Sequence, residues 1–192
     1  MQPFIDYNGR VDPSAAPGEL EQVRTFLNTW WIPNDTRQPV DDLAALAADP
    51  ARWSQALPGV PPPPRSGVSS LRALRDQLRG ALGVAHPTAL SAVVDSHRWR
   101  VALTAKEAEP AIRLVPQRET TAAALVAIVV GAIAAGRWHR LRACPDCGWV
   151  FYDSSRNARR TWCSMTAAGG ARGCGSIAKT RAYRARRAGT AG

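Results

Sequence analysis

Three of the chain's four cysteines, two tryptophans and three arginines fall within the twenty-two residues CPDCGWVFYDSSRNARRTWCSM, Cys144 to Met165. With Cys174 they form the spacing C-x2-C-x15-C-x10-C. A C-x2-C pair on a tight turn lets two thiolates grip one metal ion, and a second pair completes a tetrahedron. Four thiolates around Zn2+ leave two negative charges, which nearby arginines offset. A redox C-x2-C would sit at a helix start beside a βαβ unit, and none is visible. Disulfides would need an exported protein, and Met1-Gln2-Pro3 is followed by no basic start and apolar core. Four unrelated core cysteines would not crowd into 31 residues. One structural Zn2+ on Cys144, Cys147, Cys163 and Cys174 is therefore expected. A catalytic zinc keeps a position open for water, and four cysteines leave none. The metal's task is to fold a module too small to hold itself together.

The net charge of +10 is unevenly placed. Residues 1–136 balance thirteen basic against thirteen acidic side chains, so the whole excess lies on residues 137–192, where only Asp146 and Asp153 are acidic. A neutral body with a basic tail module implies two jobs and a polyanionic partner for the tail; a solubilising surface would mix both signs. Arg156, Asn157, Arg159, Arg160, Arg172, Lys179, Arg181, Arg184, Arg186 and Arg187 are the candidate contacts. The competing role for Asn157 and Arg160 is to bond cysteine sulfurs or fix the turn. Asp153 is expected to pair an arginine. Trp149, Phe151 and Trp162 read as the mini-core of the module rather than as stacking platforms.

The elements that must position these residues form an α+β chain: a mainly helical N-terminal domain with a small antiparallel sheet, then a ribbon-like or treble-clef-like zinc module ending in a basic helix. From Pro17 a helix is expected, with Leu20, Val23, Leu27, Trp30 and Trp31 as one apolar stripe stopped by Pro33 and Asn34. Asp41-Asp42 open a short helix through Leu43 and Leu46, Pro50 breaks it, and Arg52 to Leu57 form a further turn. Pro58 to Gly67 is an exposed polyproline loop, read as a spacer rather than as a docking ligand for a proline-binding domain. Ser69 or Ser70 caps a helix carrying Leu71, Leu74, Leu78 and Leu82. Pro87 to Ser96 is helical. Arg98 to Thr104 and Ala111 to Val115 are strands joined by KEAEP. A buried helix runs from Glu119 to about Gly136; its apolar core is too short for a membrane span. Beyond it, LRAC and WVFY are short strands flanking the first cysteine pair, Ser154 to Trp162 is helical, and a terminal helix starts at Cys174. That helix is expected to turn its N-terminal amides outward to phosphate.

CPDCGWVFYDSSRNARRTWCSM followed by Cys174-Gly175 and Ala178-Lys179 resembles the CGNR-type zinc finger. Residues 139–192 would be that finger. Residues 1–138 resemble its usual companion, the ABATE domain, at RTFLNTW (ending at Trp30), at LRALRDQLRGAL (Leu71 to Leu82) and in the helix entering RLRACPDCG. The resemblance implies a stress-induced transcriptional regulator whose finger binds DNA. The sequence departs from the family twice. Thr166 to Gly173 lengthens the gap before the last cysteine, and Cys-Gly-Asn-Arg has become Cys174-Gly175-Ser176-Ile177. The second change removes an arginine and bears on DNA affinity more than on metal binding.

The body shows no catalytic constellation, so no enzyme is expected. His86, His97 and His139 stand apart, and no phosphate loop or nucleophile elbow occurs. Asn28, Thr29, Trp30 and Trp31 either line a small-molecule pocket or pack a helix. The resulting expectation is a cytoplasmic, nucleoid-associated DNA-binding regulator with no membrane role. The alternatives are a protein-interaction adaptor built on a structural finger, or a small-molecule binder with a vestigial finger.

Overall fold

The computed structural model describes residues 15–106, 109–164 and 173–189. The chain runs α1 (Leu20–Leu27), β1 (Trp30–Trp31), β2 (Val40–Asp41), α2 (Leu43–Ala48), α3 (Pro50–Ala56), α4 (Val68–Gly80), α5 (Ser91–Asp95), β3 (Trp99–Lys106), β4 (Glu109–Pro116), α6 (Thr121–Ala134), β5 (Leu141–Ala143), β6 (Val150–Tyr152) and α7 (Cys174–Gly189). The strands make three antiparallel two-stranded ribbons, β1-β2, β3-β4 and β5-β6. Mixed helix with small antiparallel sheets is the expected class. Among the described residues no helix is long and apolar enough to cross a membrane.

α6 is the central post. It is apolar on nearly all sides, and Leu125, Val126 and Val129 are buried. A helix of that composition must be surrounded by protein. Thr120 caps it by accepting from the Ala123 amide, and Thr121 ties its first turn to the Pro61 carbonyl of the proline-rich loop. α1 presents Leu20, Val23, Phe26 and Leu27, and α4 presents Leu71, Leu74 and Leu78, to the same core. Asp49 opens α3 by accepting from the Ala51 and Arg52 amides, with Pro50 in the first turn, where its missing N–H costs nothing. The long hairpin pairs Trp99 with Pro116 and Leu103 with Ile112. Its Val101, Leu103 and Ile112 point into solvent.

Four local expectations are corrected. The first helix stops at Leu27, and Trp30-Trp31 leave it to pair with Asp41 and Val40. Asn28 is the C-cap, and its buried side-chain amide bonds to Val150 where the chain leaves the helix. Neither Ser69 nor Ser70 caps α4; a 3-10 turn over Arg65–Gly67 leads into it, with Gly67 as the cap residue. The expected helix over Pro87 to Ser96 divides into a 3-10 turn, Thr88–Leu90, and the short α5. Ser154 to Trp162 is not helical. Asp153 bonds the Ser155 and Arg160 amides, and Ala158 sits at φ 47, so the chain turns tightly instead.

A half-buried ion pair fastens β2 to α4. Arg75, 2% exposed, donates from Nη1 and Nη2 to the two Asp41 oxygens at 3.0 Å each, and to the Thr29 hydroxyl at 3.1 Å. The hydrogen bond from Arg75 is the main reason the Asp41 carboxyl lies at about 2 rather than 3.8; burial opposes it, and Arg72 and the Leu43 amide assist. The folded value is depressed, so the stabilisation is present above pH 4 and is lost as pH falls towards 2. Asp41→Asn should cost about 1 kcal/mol at pH 7, since it removes the charge partner of a buried guanidinium but leaves it the Thr29 hydroxyl and Asp76. In urea titrations at stepped pH, the gap between wild type and variant should close as the wild-type carboxyl protonates.

Candidate metal centre and its basic surface

The metal candidates come from three places. Cys144 and Cys147 lie on the turn joining β5 to β6, which the Cys144 amide and the Gly148 amide close by bonding to the Trp149 and Cys144 carbonyls. Gly148 adopts φ 70, and a Cβ there would sit 2.6 Å from the Trp30 ring. Only glycine therefore permits both the turn and the close approach of the body. Cys163 follows the Asp153–Arg160 turn, and Cys174 is the first residue of α7. The four Sγ atoms all lie within 4.8 Å of one another. Cys147 and Cys163 are 3.6 Å apart, and Cys163 and Cys174 are 3.7 Å apart. A tetrahedron with Zn–S bonds of about 2.3 Å has edges of about 3.8 Å. The donor set and its spacing fit one zinc ion, with no position left for water.

Neighbouring charge shifts the thiols in opposite directions. Bonds from Cys147 and Cys163 hold the Cys144 thiol far below its usual value, while its bond with Cys144 drives Cys163 far above. Such a cluster cannot be four thiolates unless a cation lies among them. α7 helps, because its N-terminus and the positive end of its dipole meet the sulfurs. Gly173, Cys174 and Gly175 are buried, and the Gly175 amide is spent on the Ser164 carbonyl. The expectation of phosphate at this helix start is thereby corrected: the start faces the metal site.

A small apolar cluster surrounds the sulfurs. It contains Trp149, Phe151 and, from the body, Trp31, which meets Trp149 edge-on at 6.0 Å. Trp162 packs on its border. The exchange is mutual, because Leu141 and Val150 of the finger belong to the main core with α1, α4 and α6. Asn28 completes the seam. It is 1% exposed, donates to the Val150 carbonyl at 2.9 Å and accepts from the Val150 amide at 2.7 Å, as a neighbouring strand would. Arg24 reaches the same carbonyl, and Arg79 donates to Leu27 and Gly148 carbonyls while lying 4.7 Å from the Trp30 ring centre. Burial lowers Arg79 to about 10, so it stays charged.

Residues 140–187 match the family model of the CGNR zinc finger. A search among curated proteins gave no match. The finger match spans the Thr166–Gly173 insertion and the Ser176-Ile177 departure. Ile177 is half-buried and bonds through its amide to Gly173, which keeps the helix start intact.

The other proposed site residues divide by environment. Arg160 is built into the finger: its amide donates to Asp153, its side chain to the Trp162 and Cys163 carbonyls, and it lies 4.9 Å from the Phe151 ring centre. Arg140 and Arg142 brace the Asp153–Arg160 turn through the Asp153, Ser155 and Ala158 carbonyls. Asp153 is fully buried; burial alone would raise its carboxyl, but the Ser155 side chain, the Ser155 and Arg160 amides and Arg142 bring it below the usual value. The braced turn exposes Arg156, Asn157 and Arg159, and α7 exposes Lys179, Arg181, Arg184 and Arg186. Arg172 lies outside the described residues, as does the side chain of Arg187. Asn28 and Thr29 are buried and internally bonded, Thr29 to the Phe26 carbonyl and Arg75, and Trp31 is 7% exposed. Of the four, Trp30 lines an open groove of about 510 Å3, with Asp41, Arg72, Arg75, Asp76 and Arg79. Sequence reasoning missed Asn34 and Arg37, loop residues with no periodic signal, and Arg79, which the helical spacing of Arg72, Arg75 and Arg79 could have found.

The purified chain should carry one zinc by elemental analysis. Changing any one of Cys144, Cys147, Cys163 and Cys174 to serine should drop that content well below one. Chelation should change the Trp31 and Trp149 fluorescence, because both rings pack against the sulfur cluster.

Proposed function

We propose that this chain is a zinc-dependent DNA-binding protein and a transcriptional regulator of the type its finger suggests, with an ABATE-like body. One observation carries the reading. Both acidic side chains of residues 137–192 are withdrawn, Asp153 at 0% exposure and the Asp146 side chain at 6%, while Arg156, Arg159, Arg181 and Arg184 face solvent. Among the described residues of the finger no exposed carboxylate stands between its exposed basic side chains. The Asp153–Arg160 turn supplies Arg156 and Arg159, and α7 supplies Lys179, Arg184 and Arg186. A surface meant only for solubility would leave its acids outside. Arg and Lys on such a surface neutralise phosphates and release counterions, which gives affinity without sequence preference. Asn157 and Arg156, displayed at the tip of a rigid turn, are the candidates for base edges.

The protein should shift duplex DNA at low salt, with log K falling linearly against log salt. Charge reversal at Lys179, Arg184 and Arg186 together should weaken binding at least ~100-fold and flatten the slope by about 3. Zinc content should not change, because these residues are remote from the sulfurs. Absence of any shift at low salt would rule the reading out. Partner recovery that survives the reversal would favour an adaptor.

For the body, the groove beside Trp30 supports ligand sensing. Its Trp30 indole, between arginines and the carboxylates of Asp41 and Asp76, suits a small planar ligand that carries polar groups. A matching compound should raise the melting temperature of the wild type and leave Trp30→Ala unchanged.

A further inference from the structure

The loop from Ile32 to Pro39 joins β1 to β2 and lies outside the segment that matches the finger, yet it reaches the metal site at three points. The Ile32 amide donates to the Cys147 carbonyl at 2.7 Å. Arg37 Nη2 donates to the Asp146 carbonyl at 3.0 Å and lies 3.6 Å from the Asp146 carboxylate. Asn34 Nδ2 donates to Cys174 Sγ at 3.3 Å. Asn34 Oδ1 is 3.6 Å from the same sulfur, but a metal-bound thiolate has no proton to give it. Instead Oδ1 accepts from Arg37 Nη1 at 3.3 Å, which fixes the orientation of the amide. Asp146 also accepts from Arg181, two turns into α7, at 2.9 Å. The contacts close a ring: Cys174, Asn34, Arg37, Asp146, Arg181, and back along α7 to Cys174. Arg37 holds φ 54, a conformation that a non-glycine residue keeps only when its contacts hold it there.

The geometry points to Asn34 and Arg37 as positioning residues that the body lends to the finger: Asn34 donates a hydrogen bond to the Cys174 thiolate, and the ring sets the direction of α7 from the metal. Zinc with four thiolates carries two excess negative charges in a mostly buried site. An N–H donor aimed at a sulfur lowers the electron density that the metal and the surroundings must accommodate. Arg37 and Arg181 add positive charge nearby while neutralising Asp146. The part of this inference that concerns the metal rests only on the cysteine geometry; the part that concerns DNA rests on the function proposed above.

The test uses the full chain loaded with zinc, as wild type, Asn34→Ala, Asn34→Asp and Arg37→Met. Asn34→Asp keeps the shape and replaces the donor with an anion beside the thiolates. Zinc affinity, read by competition with a coloured chelator, should fall about 10-fold for Asn34→Ala and nearer 100-fold for Asn34→Asp. In the cobalt-substituted proteins the sulfur-to-metal charge-transfer band should move to lower energy in both, because an unbonded thiolate gives up its electrons more readily. Arg37→Met should move it the same way by less, since the amide is then free to turn. A residue that only packs would leave the band in place. For DNA, Asn34→Ala should lower affinity without changing the salt slope, whereas loss of a phosphate contact lowers that slope by about 1. Wild-type zinc affinity and an unmoved band in both Asn34 variants would overturn the inference. If the wild type binds no DNA, the functional reading fails while the metal readouts still decide this one.

Discussion

Four cysteine sulfurs within 4.8 Å of one another can all be thiolates only around a cation. Much of the C-terminal structure follows from that requirement. The strands that carry the first cysteine pair are three residues each, and an isolated hairpin of that size is marginal in water. Among the described residues between Tyr152 and α7 there are turns and no helix. A metal that draws Cys144, Cys147, Cys163 and Cys174 together supplies the folding free energy that so little apolar surface cannot. It also sets the start of α7, because the first residue of the helix is itself one of the four. The helix dipole and the arginines of the ring then work in the same direction, placing positive charge around an anionic centre.

The finger does not stand apart from the body. Val150 and Leu141 of its hairpin sit in the main core, while Trp31 of the body sits among the sulfurs. Asn28 treats Val150 as the residue of an adjacent strand, and Gly148 lets the Trp30 ring lie against the zinc turn. The β1-β2 ribbon has a groove at its base, lined by Trp30 and Asp41, and the metal site at its tip, touched by Asn34 and Arg37. A rigid seam of this kind gives the body a physical means to influence the placement of the basic surface, which suits a regulator.

Much of this was legible in the residues. The cysteine spacing announced the metal, the charge partition announced the basic surface, and the apolar stretch Ala122 to Gly136 announced the central helix. Period-two patterning placed the long hairpin. The β1-β2 ribbon was hidden because Trp30 and Trp31 continue the helical stripe of Leu20, Val23 and Leu27, while the place where the chain leaves the helix is marked by Asn28, whose side chain bonds to a residue far along the chain. Asn34 and Arg37 were equally invisible, since a polar residue in a loop has meaning only through what it faces. The arginines of the finger looked alike in sequence. Burial separates Arg160, which braces the turn, from Arg156, Arg159 and Arg184, which face outward.

The central claim is that the zinc-organised finger is what holds DNA. A single titration tests it most directly: a labelled duplex bound to the intact protein is followed by fluorescence anisotropy while a chelator removes the metal, and zinc release is recorded in the same cuvette. The account predicts that anisotropy falls in proportion to zinc released and recovers when zinc is restored. Binding that persists after the zinc has gone would contradict it.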